Sequence, residues 1–370
     1  MGKTLILVGG GHAHMETLAH LEEFVQKGFQ VTVVGPSTHH YYSGMGPGML
    51  GNTYTPEEIC FATKHVVEKK GGTFIEDKGL RIDPDTRTLF LASGKTLSYD
   101  VISFNAGSYV PQDSVMGDDE DIYPVKPIEK LMQAQTRILE LTRQKKISIA
   151  IVGGGPSSAE IAGNVRQLTH GAGIHKPDIT IFAGQRFMSR FPEKIRQGVM
   201  GILQRRGVKL NESGYVSQVK DKIISLKSGE TFSVDFIFMA LGVKPSTIFE
   251  QSGLPTGPDG GLLVNKYLQS IQYPEIFGGG DCIYFQDSPL DKVGVYAVRE
   301  NPILLHNIMA CLTDSPLKIF DPGGDYLLIF NLGDGLGVLK KSWFVLKGRL
   351  AFKLKDYIDR KFMKLFQAIE

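Results

Sequence analysis

Cysteine is scarce in this chain of 370 residues: Cys60, Cys282 and Cys311 are too few for a disulfide framework, and no CxxC or CxxxxC pair joins them. That composition points to a reducing, cytosolic compartment and away from a metal site of the zinc type. Long apolar runs are missing too. None approaches the ~18 residues of a transmembrane helix. The N-terminal run Leu5-Ile6-Leu7-Val8 stops at a triple glycine, too soon for a secretory signal. The expected location is cytoplasmic, free or peripheral on the inner face of the cytoplasmic membrane. No charge of one sign dominates either. A net charge of +2 gives no global field for a polyanion. The one basic stretch lacks the aromatic order of a nucleic-acid platform, so no nucleic-acid partner is expected.

Glycine, by contrast, is plentiful and clustered, with 43 residues against the usual share of roughly 7%. A mass of 40.7 kDa exceeds one compact core and suggests two domains or a little more. Residues 4–25 read as strand, glycine turn and helix, followed by the β-branched run Val31-Thr32-Val33-Val34. Residues 147–168 repeat that order, followed by Ile179-Thr180-Ile181-Phe182. A short buried strand, glycines, a helix and a second buried strand open a βαβ unit. Two such openings predict an α/β protein with two Rossmann-like dinucleotide-binding domains. The second is read as inserted in the first: 1–110 with 245–314 form one domain, 111–244 the other, and 315–370 a C-terminal region.

In Gly9-Gly10-Gly11-His12-Ala13-His14 the glycines permit a tight turn and close approach of a pyrophosphate to the amides of a helix start. His14 stands where a third glycine is usual, and His12 and His14 are read as packing or capping groups. Gly153-Gly154-Gly155-Pro156-Ser157-Ser158 repeats the pattern with Ser158 in the third position. Pro156 suits the first turn of a helix. Glu160 lies in that opening turn, where a capping role and a chemical one are equally open. Neither second strand ends in the acid that usually holds an adenosine ribose. Gly35-Pro36-Ser37 follows the first, where Ser37 or a backbone group would substitute. Gln185 and Arg186 follow the second and would tolerate a 2′-phosphate. Asp281, after Gly278-Gly279-Gly280, can accept a hydrogen bond from a sugar-alcohol hydroxyl such as ribityl, or cap the next segment.

The order GGGHAH, NAGS, GGGPSSAE, MALGVKP, IFGGGDC resembles the pyridine nucleotide-disulfide oxidoreductase superfamily, in its branch of type II NADH dehydrogenases and sulfide:quinone reductases. Within that branch it is most similar to the flavoprotein domain fused to selenide, water dikinase, through YYSGMGPGMLGNTYTPEEI, GVYAVRENPILLHNI and KLKDYIDRKFMKLF. The resemblance implies FAD along Gly9, Gly10 and Gly11, with Ala106 and Gly107 near its adenosine or pyrophosphate portion and Gly280 and Asp281 at the ribityl. It implies NAD(P)H as co-substrate at Gly153, Gly155, Ser158 and Glu160, with Gly242 nearby. Gly44, Met45 and Pro47 would pass near the isoalloxazine or the acceptor, as would Tyr296, Ala297 and Arg299. Type II NADH dehydrogenases line their quinone site with AQxAxQ. Here Ala297-Val298-Arg299-Glu300-Asn301-Pro302 lacks both glutamines.

The implied activity is hydride transfer from NAD(P)H to flavin and electron transfer onward, to quinone or another small acceptor, without a redox disulfide. A sulfide:quinone oxidoreductase using Cys282 or Cys311 and a flavin-binding redox sensor with little turnover are the alternatives. The tail adds a further expectation. From Lys340 to Lys364 nine Lys or Arg face two Asp. Leu354, Ile358, Phe362, Leu365, Phe366 and Ile369 recur at three- and four-residue steps. They predict one apolar helix face suited to an anionic membrane surface or to a homodimer contact.

Overall fold

The computed structural model describes residues 2–111, 120–171 and 173–370. Two five-stranded parallel sheets dominate it. The first runs in the spatial order Ile276–Gly278, Val101–Phe104, Thr4–Val8, Gln30–Gly35, Thr73–Glu76. The second runs Ile122–Pro124, Phe236–Met239, Ser148–Val152, Asp178–Phe182, Val208–Asn211, the same order over again. Both central strands are unbroken apolar runs because helices cover both faces of such sheets. Leu5 pairs with Val31 on one side and Val101 on the other. Ile149 pairs with Ile179 and Phe236 in the equivalent register.

The duplication extends beyond the strands expected from sequence. Each unit carries a three-stranded antiparallel sheet in the crossover to its next parallel strand. One spans Gly79–Asp83, Thr88–Leu91 and Thr96–Ser98, the other Val216–Lys220, Ile223–Leu226 and Thr231–Ser233. The chain passes between the two large sheets at Ser108–Tyr109 and returns at Lys244–Pro245, and these two segments pair antiparallel. All five strands of the second sheet thus lie between strands of the first, the insertion that the two glycine turns foretold.

The C-terminal region holds more than a helix. Leu328–Asn331, Gly337–Lys341 and Phe344–Gly348 form a third antiparallel sheet before the helix Arg349–Gln367. This sheet rests on the helix Pro156–Leu168: a Cβ on Gly163 would fall 2.1 Å from the Leu332 carbonyl oxygen, so only glycine admits the contact. Here the sequence expectation for the tail is corrected. The helix face turned inward carries Ala351, Lys355, Asp359, Met363 and Phe366, with Phe362 beside them. Leu354, Ile358 and Leu365 of the expected face remain exposed. Apolar periodicity alone could not choose between the two faces, because an ion pair occupies the inner one. Among the described residues no helix is long and apolar enough to cross a membrane.

Candidate functional site

The first glycine turn starts where Val8 ends. Gly9 has φ +90°, and its N–H donates to the Val34 carbonyl at 2.8 Å. A Cβ on Gly11 would fall 2.2 Å from Asn105 Oδ1, and one on Gly10 2.5 Å from the Thr63 methyl. The turn is therefore seated tightly on its protein side. It leads into the one-turn helix His12–His14 and then Met15–Ala19. Unpaired N–H groups at such a helix start attract anions.

His14 is buried beneath the turn. Its Nδ1–H donates to the Gly9 carbonyl at 2.7 Å, which leaves Nε2 to accept from Ser103 Oγ at 2.8 Å. The imidazole braces the turn from below, and burial lowers its pKa to about 4. His12 stacks on Phe362 at 5.6 Å and lies 4.9 Å from the Tyr42 ring. Burial first, and then neighbouring His40, lower its pKa to about 3, so it is neutral. His12 Nε2 and Asn105 Oδ1 are buried polar atoms without a hydrogen-bond partner in the protein. Two orphaned polar atoms beside a glycine turn are what a polar ligand would satisfy.

Asp281 lies next to this turn. The strand Ile276–Gly278 ends in a short turn Gly280–Cys282, with Gly280 at φ +73° and packed against Asn105 and Ala297. Ser108 Oγ donates to Asp281 Oδ2 at 2.7 Å, and Lys126 Nζ reaches the same oxygen at 2.8 Å. Burial would raise the Asp281 pKa, but the Lys126 charge and these hydrogen bonds outweigh it and hold the carboxylate ionised. Ala106 and Gly107 (φ +66°) join strand Val101–Phe104 to Ser108. Glu300, on the helix Gly294–Leu312, accepts the Gly280 N–H, and burial pushes its pKa up to about 7.

Other expected residues have partners of their own. Ser37 follows Gln30–Gly35, and its Oγ accepts the His39 N–H at 3.2 Å. On the Gly294–Leu312 helix, Ala297 faces Gly280, whereas Tyr296 meets Tyr326 at 5.6 Å and Arg299 donates to the carbonyls of Pro322 and Gly324.

The second turn has the same design. Gly153 (φ +139°) donates to Phe182 at 2.9 Å, and Gly155 precedes the helix Pro156–Leu168. No atom lies within 4 Å of where a Cβ would project from Gly155 or from Gly242 (φ +92°), so open space adjoins both. Ser158 is fully buried and its Oγ has no partner. Glu160 Oε1 accepts the N–H of Asn331, in the C-terminal sheet, at 2.8 Å.

Glu160 then meets a cluster from the C-terminal helix. Lys355 Nζ donates to Asp359 Oδ2 at 2.7 Å and to the Gly44 carbonyl at 2.9 Å. Tyr42 donates to Asp359 Oδ1 at 3.1 Å. Met45 is buried immediately before the short helix Gly46–Leu50, which contains Pro47. Burial lifts the Glu160 pKa to about 7, against the pull of Lys355 and the Asn331 N–H. At neutral pH this carboxyl group is poised to gain or lose a proton.

Lys126, Asn105, Glu300, Tyr42, Lys355 and Asp359 are the residues sequence reasoning missed. Only the four-residue step from Lys355 to Asp359 left a readable signal. Among the described residues, no three His, Cys, Asp or Glu side chains converge as if to hold a metal ion. Cys282 is fully buried, its Sγ 3.2 Å from the Gly279 carbonyl, and burial pushes its pKa up to about 12. A thiol so placed resists forming the thiolate that redox chemistry needs.

With this geometry in view, comparison with known proteins assigns the class. Residues 3–307 match the model of the pyridine nucleotide-disulphide oxidoreductase family, and the chain belongs to that family. It is 26% identical over 356 residues to ferroptosis suppressor protein 1 of Taeniopygia guttata, a match covering 90% of this chain and 87% of that one. It is 23% identical over 290 residues to the large subunit of nitrite reductase (NADH) of Escherichia coli, covering 75% of this chain and 33% of that one. Among solved structures, NDH2 from Plasmodium falciparum in complex with NADH superposes with a TM-score of 0.82 at 14% identity, covering 100% of this chain and 98% of that one. The sulfide:quinone oxidoreductase of Aquifex aeolicus gives 0.80 at 17% identity, with 100% and 92% covered. The protein is an oxidoreductase of this family, with the two-domain Rossmann-like fold of these neighbours.

Proposed function

We propose that the protein is an FAD-dependent NAD(P)H dehydrogenase that passes electrons to a small acceptor of the quinone class. The observation that carries this reading is the corner where Asp281, Ser108 and Lys126 meet beside Gly9–Gly11, with Asn105 Oδ1 and His12 Nε2 left unsatisfied. These residues fit FAD. Gly9, Gly10 and Gly11 would take its pyrophosphate, and Asp281, with Ala106, Gly107 and Gly280 around it, would take its sugar-alcohol chain. Bound FAD would supply the two-electron chemistry, accepting a hydride and passing the electron pair on. By this reading 1–110 and 245–314 bind FAD and 111–244 binds the nicotinamide nucleotide.

The chain's own residues do the rest. Gly153, Gly155 and Gly242 border open space in which a dinucleotide would lie, and Ser158 Oγ offers a free polar atom below it. Lys355 fixes the loop at Gly44 and neutralises Asp359. Glu160 stands between the second glycine turn and the Lys355–Asp359 pair, where burial raises its proton affinity and it would border the nicotinamide nucleotide. The buried Cys282 gives no support to a sulfide mechanism.

Lipid supplies the natural source of a quinone. Trp343, Leu350, Tyr357 and Leu365 are all more than half exposed, next to Lys341, Lys347, Arg349, Lys353, Lys361 and Lys364. Such a face suits an anionic membrane surface. A homodimer contact is the other outcome, distinguished by a change of mass in solution.

The test is anaerobic stopped-flow mixing of FAD-loaded protein with NADH and NADPH separately, followed by a soluble quinone. Bleaching of the flavin band and its recovery with quinone are expected. Protein that folds but takes up no FAD, or flavin that neither nucleotide bleaches, would overturn the proposal.

A further inference from the structure

A second polar cleft lies at the opposite edge of the second sheet. Glycines 153–155 follow the C-terminal end of Ser148–Val152, whereas this cleft adjoins the N-terminal end, about 16 Å away along a five-residue strand. Its volume is about 460 Å³, and Lys146, Arg166, His175, Lys176, Pro177, Asp178 and Gly207 line it. The loops converge there for structural reasons. Lys146 precedes one strand, Asp178 begins the next, and Gly207 precedes the third. The His175 N–H is fixed to the Thr142 carbonyl at 2.8 Å.

Arg166 forms the floor. It sits near the end of helix Pro156–Leu168 and is 6% exposed. Its Nη1 donates to the Pro177 carbonyl at 3.1 Å and its Nη2 to the Gly207 carbonyl at 3.4 Å. Its Nε is buried without a hydrogen-bond partner. Among the described residues no carboxylate lies within ion-pair distance of this guanidinium; Arg206 is a neighbouring like charge, and Asp178 and Asp334 attract it from beyond that distance. The single acid in the cleft, Asp178, is committed to Lys146 at 2.7 Å. A buried guanidinium with two carbonyl acceptors, an unpaired Nε and no carboxylate in direct contact is a costly arrangement, which an anion would relieve. Guanidinium and ammonium groups together suit phosphoryl oxygens.

We propose that this cleft binds a small phosphoryl anion, of the size of a diphosphate or a nucleotide, at a site separate from both glycine turns. The rim groups Lys146, His175 and Lys176 would reach its outer oxygens, and Arg166 its inner ones. The volume exceeds what one phosphate fills and lies within the range of small-molecule sites. A guanidinium that merely caps carbonyls at a helix end needs no such rim, and that alternative predicts no binding.

The test is calorimetric titration of FAD-loaded full-length protein with inorganic pyrophosphate, and separately with ADP, at fixed ionic strength. Lys176→Glu and Lys146→Ala change exposed side chains and leave the Arg166 floor intact. One equivalent of pyrophosphate should bind the unaltered protein, and each variant should weaken it roughly tenfold, the worth of a charge-assisted contact. Tighter binding of ADP would show that the cleft also takes a nucleoside. Equal affinity in protein and variants would place the anion at a glycine turn and overturn the proposal. So would no heat at millimolar pyrophosphate, or displacement by polynucleotide at a lower phosphate concentration.

Discussion

Lys126 Nζ lies 2.8 Å from Asp281 Oδ2, joining a residue of the inserted unit to the end of the first sheet. The pair is partly enclosed, and Ser108 Oγ completes it. Its position makes Asp281 the anchor of the proposed FAD site and Lys126 the group that keeps the anchor charged.

Asp281→Ala should therefore purify with little flavin. Loss of a charged hydrogen-bond acceptor costs about 1.5–3 kcal/mol, or roughly ten- to a hundredfold in affinity. The flavin-to-protein ratio and a titration with FAD measure this, and Lys126→Met should show a smaller loss of the same kind. Stoichiometric, tightly held FAD in Asp281→Ala would contradict the assignment.

Glu160 gives a pH dependence of definite sign. Its native pKa of about 7 exceeds the ordinary value of 4.5, so the folded state binds the proton more tightly than the unfolded chain. The group costs nothing below the ordinary value and destabilises the fold progressively as pH rises through that window. Glu160→Gln keeps an oxygen for the Asn331 N–H and removes the charge. It should gain on the order of 1–3 kcal/mol at pH 8 relative to pH 4.5, read by urea unfolding at both values.

The pair of Lys355 and Asp359 is buried on the inner face of the C-terminal helix. Lys355→Met strands the Asp359 carboxylate, and a loss of about 3–5 kcal/mol is expected. The double variant Lys355→Met with Asp359→Leu should recover most of it. Thermal unfolding of the three proteins distinguishes this from a simple loss of contact.

Cys282 should escape alkylation in the folded protein, since its Sγ is enclosed and its thiolate disfavoured. Mass spectrometry after brief treatment with iodoacetamide, with and without denaturant, reads the difference. Rapid native labelling at Cys282 would reopen a sulfide-type mechanism.

Membrane contact, if it is made by the exposed tail, depends on Trp343 and Leu350. Trp343→Ser with Leu350→Gln should shift the protein from anionic vesicles to the supernatant in a sedimentation assay. Each fully buried apolar side chain is worth about 1.5–3 kcal/mol, so a loss of tenfold or more is expected. Unchanged partition would leave this face to another role.

The inner strands of both large sheets were legible in the sequence because they are continuous apolar runs, the central ones stopping at glycine, whereas Thr73–Glu76, Ile122–Pro124 and Val208–Asn211 at the edges were not. The place of Asp281 just after a strand end was legible for the same reason. The small antiparallel sheets were not, since strands such as Thr96–Ser98 and Thr231–Ser233 are only three residues long and carry little periodic signal. Lys126 and Ser108 come to Asp281 from more than 150 residues away, a juxtaposition set by topology alone. The tail helix misled because its outward residues are as apolar as its inward ones, and Lys355 reads in sequence as one more solvated base.

The nesting of one sheet within the other also sets an order of assembly. Every strand of the inner sheet, through Met239, leaves the ribosome before Ile276–Gly278 can complete the outer one. Val101–Phe104 must wait for its last parallel neighbour while the interior unit is already able to close. The corner at Asp281 consequently takes shape only after the inserted unit has been translated, although the glycines it faces lie far earlier in the chain.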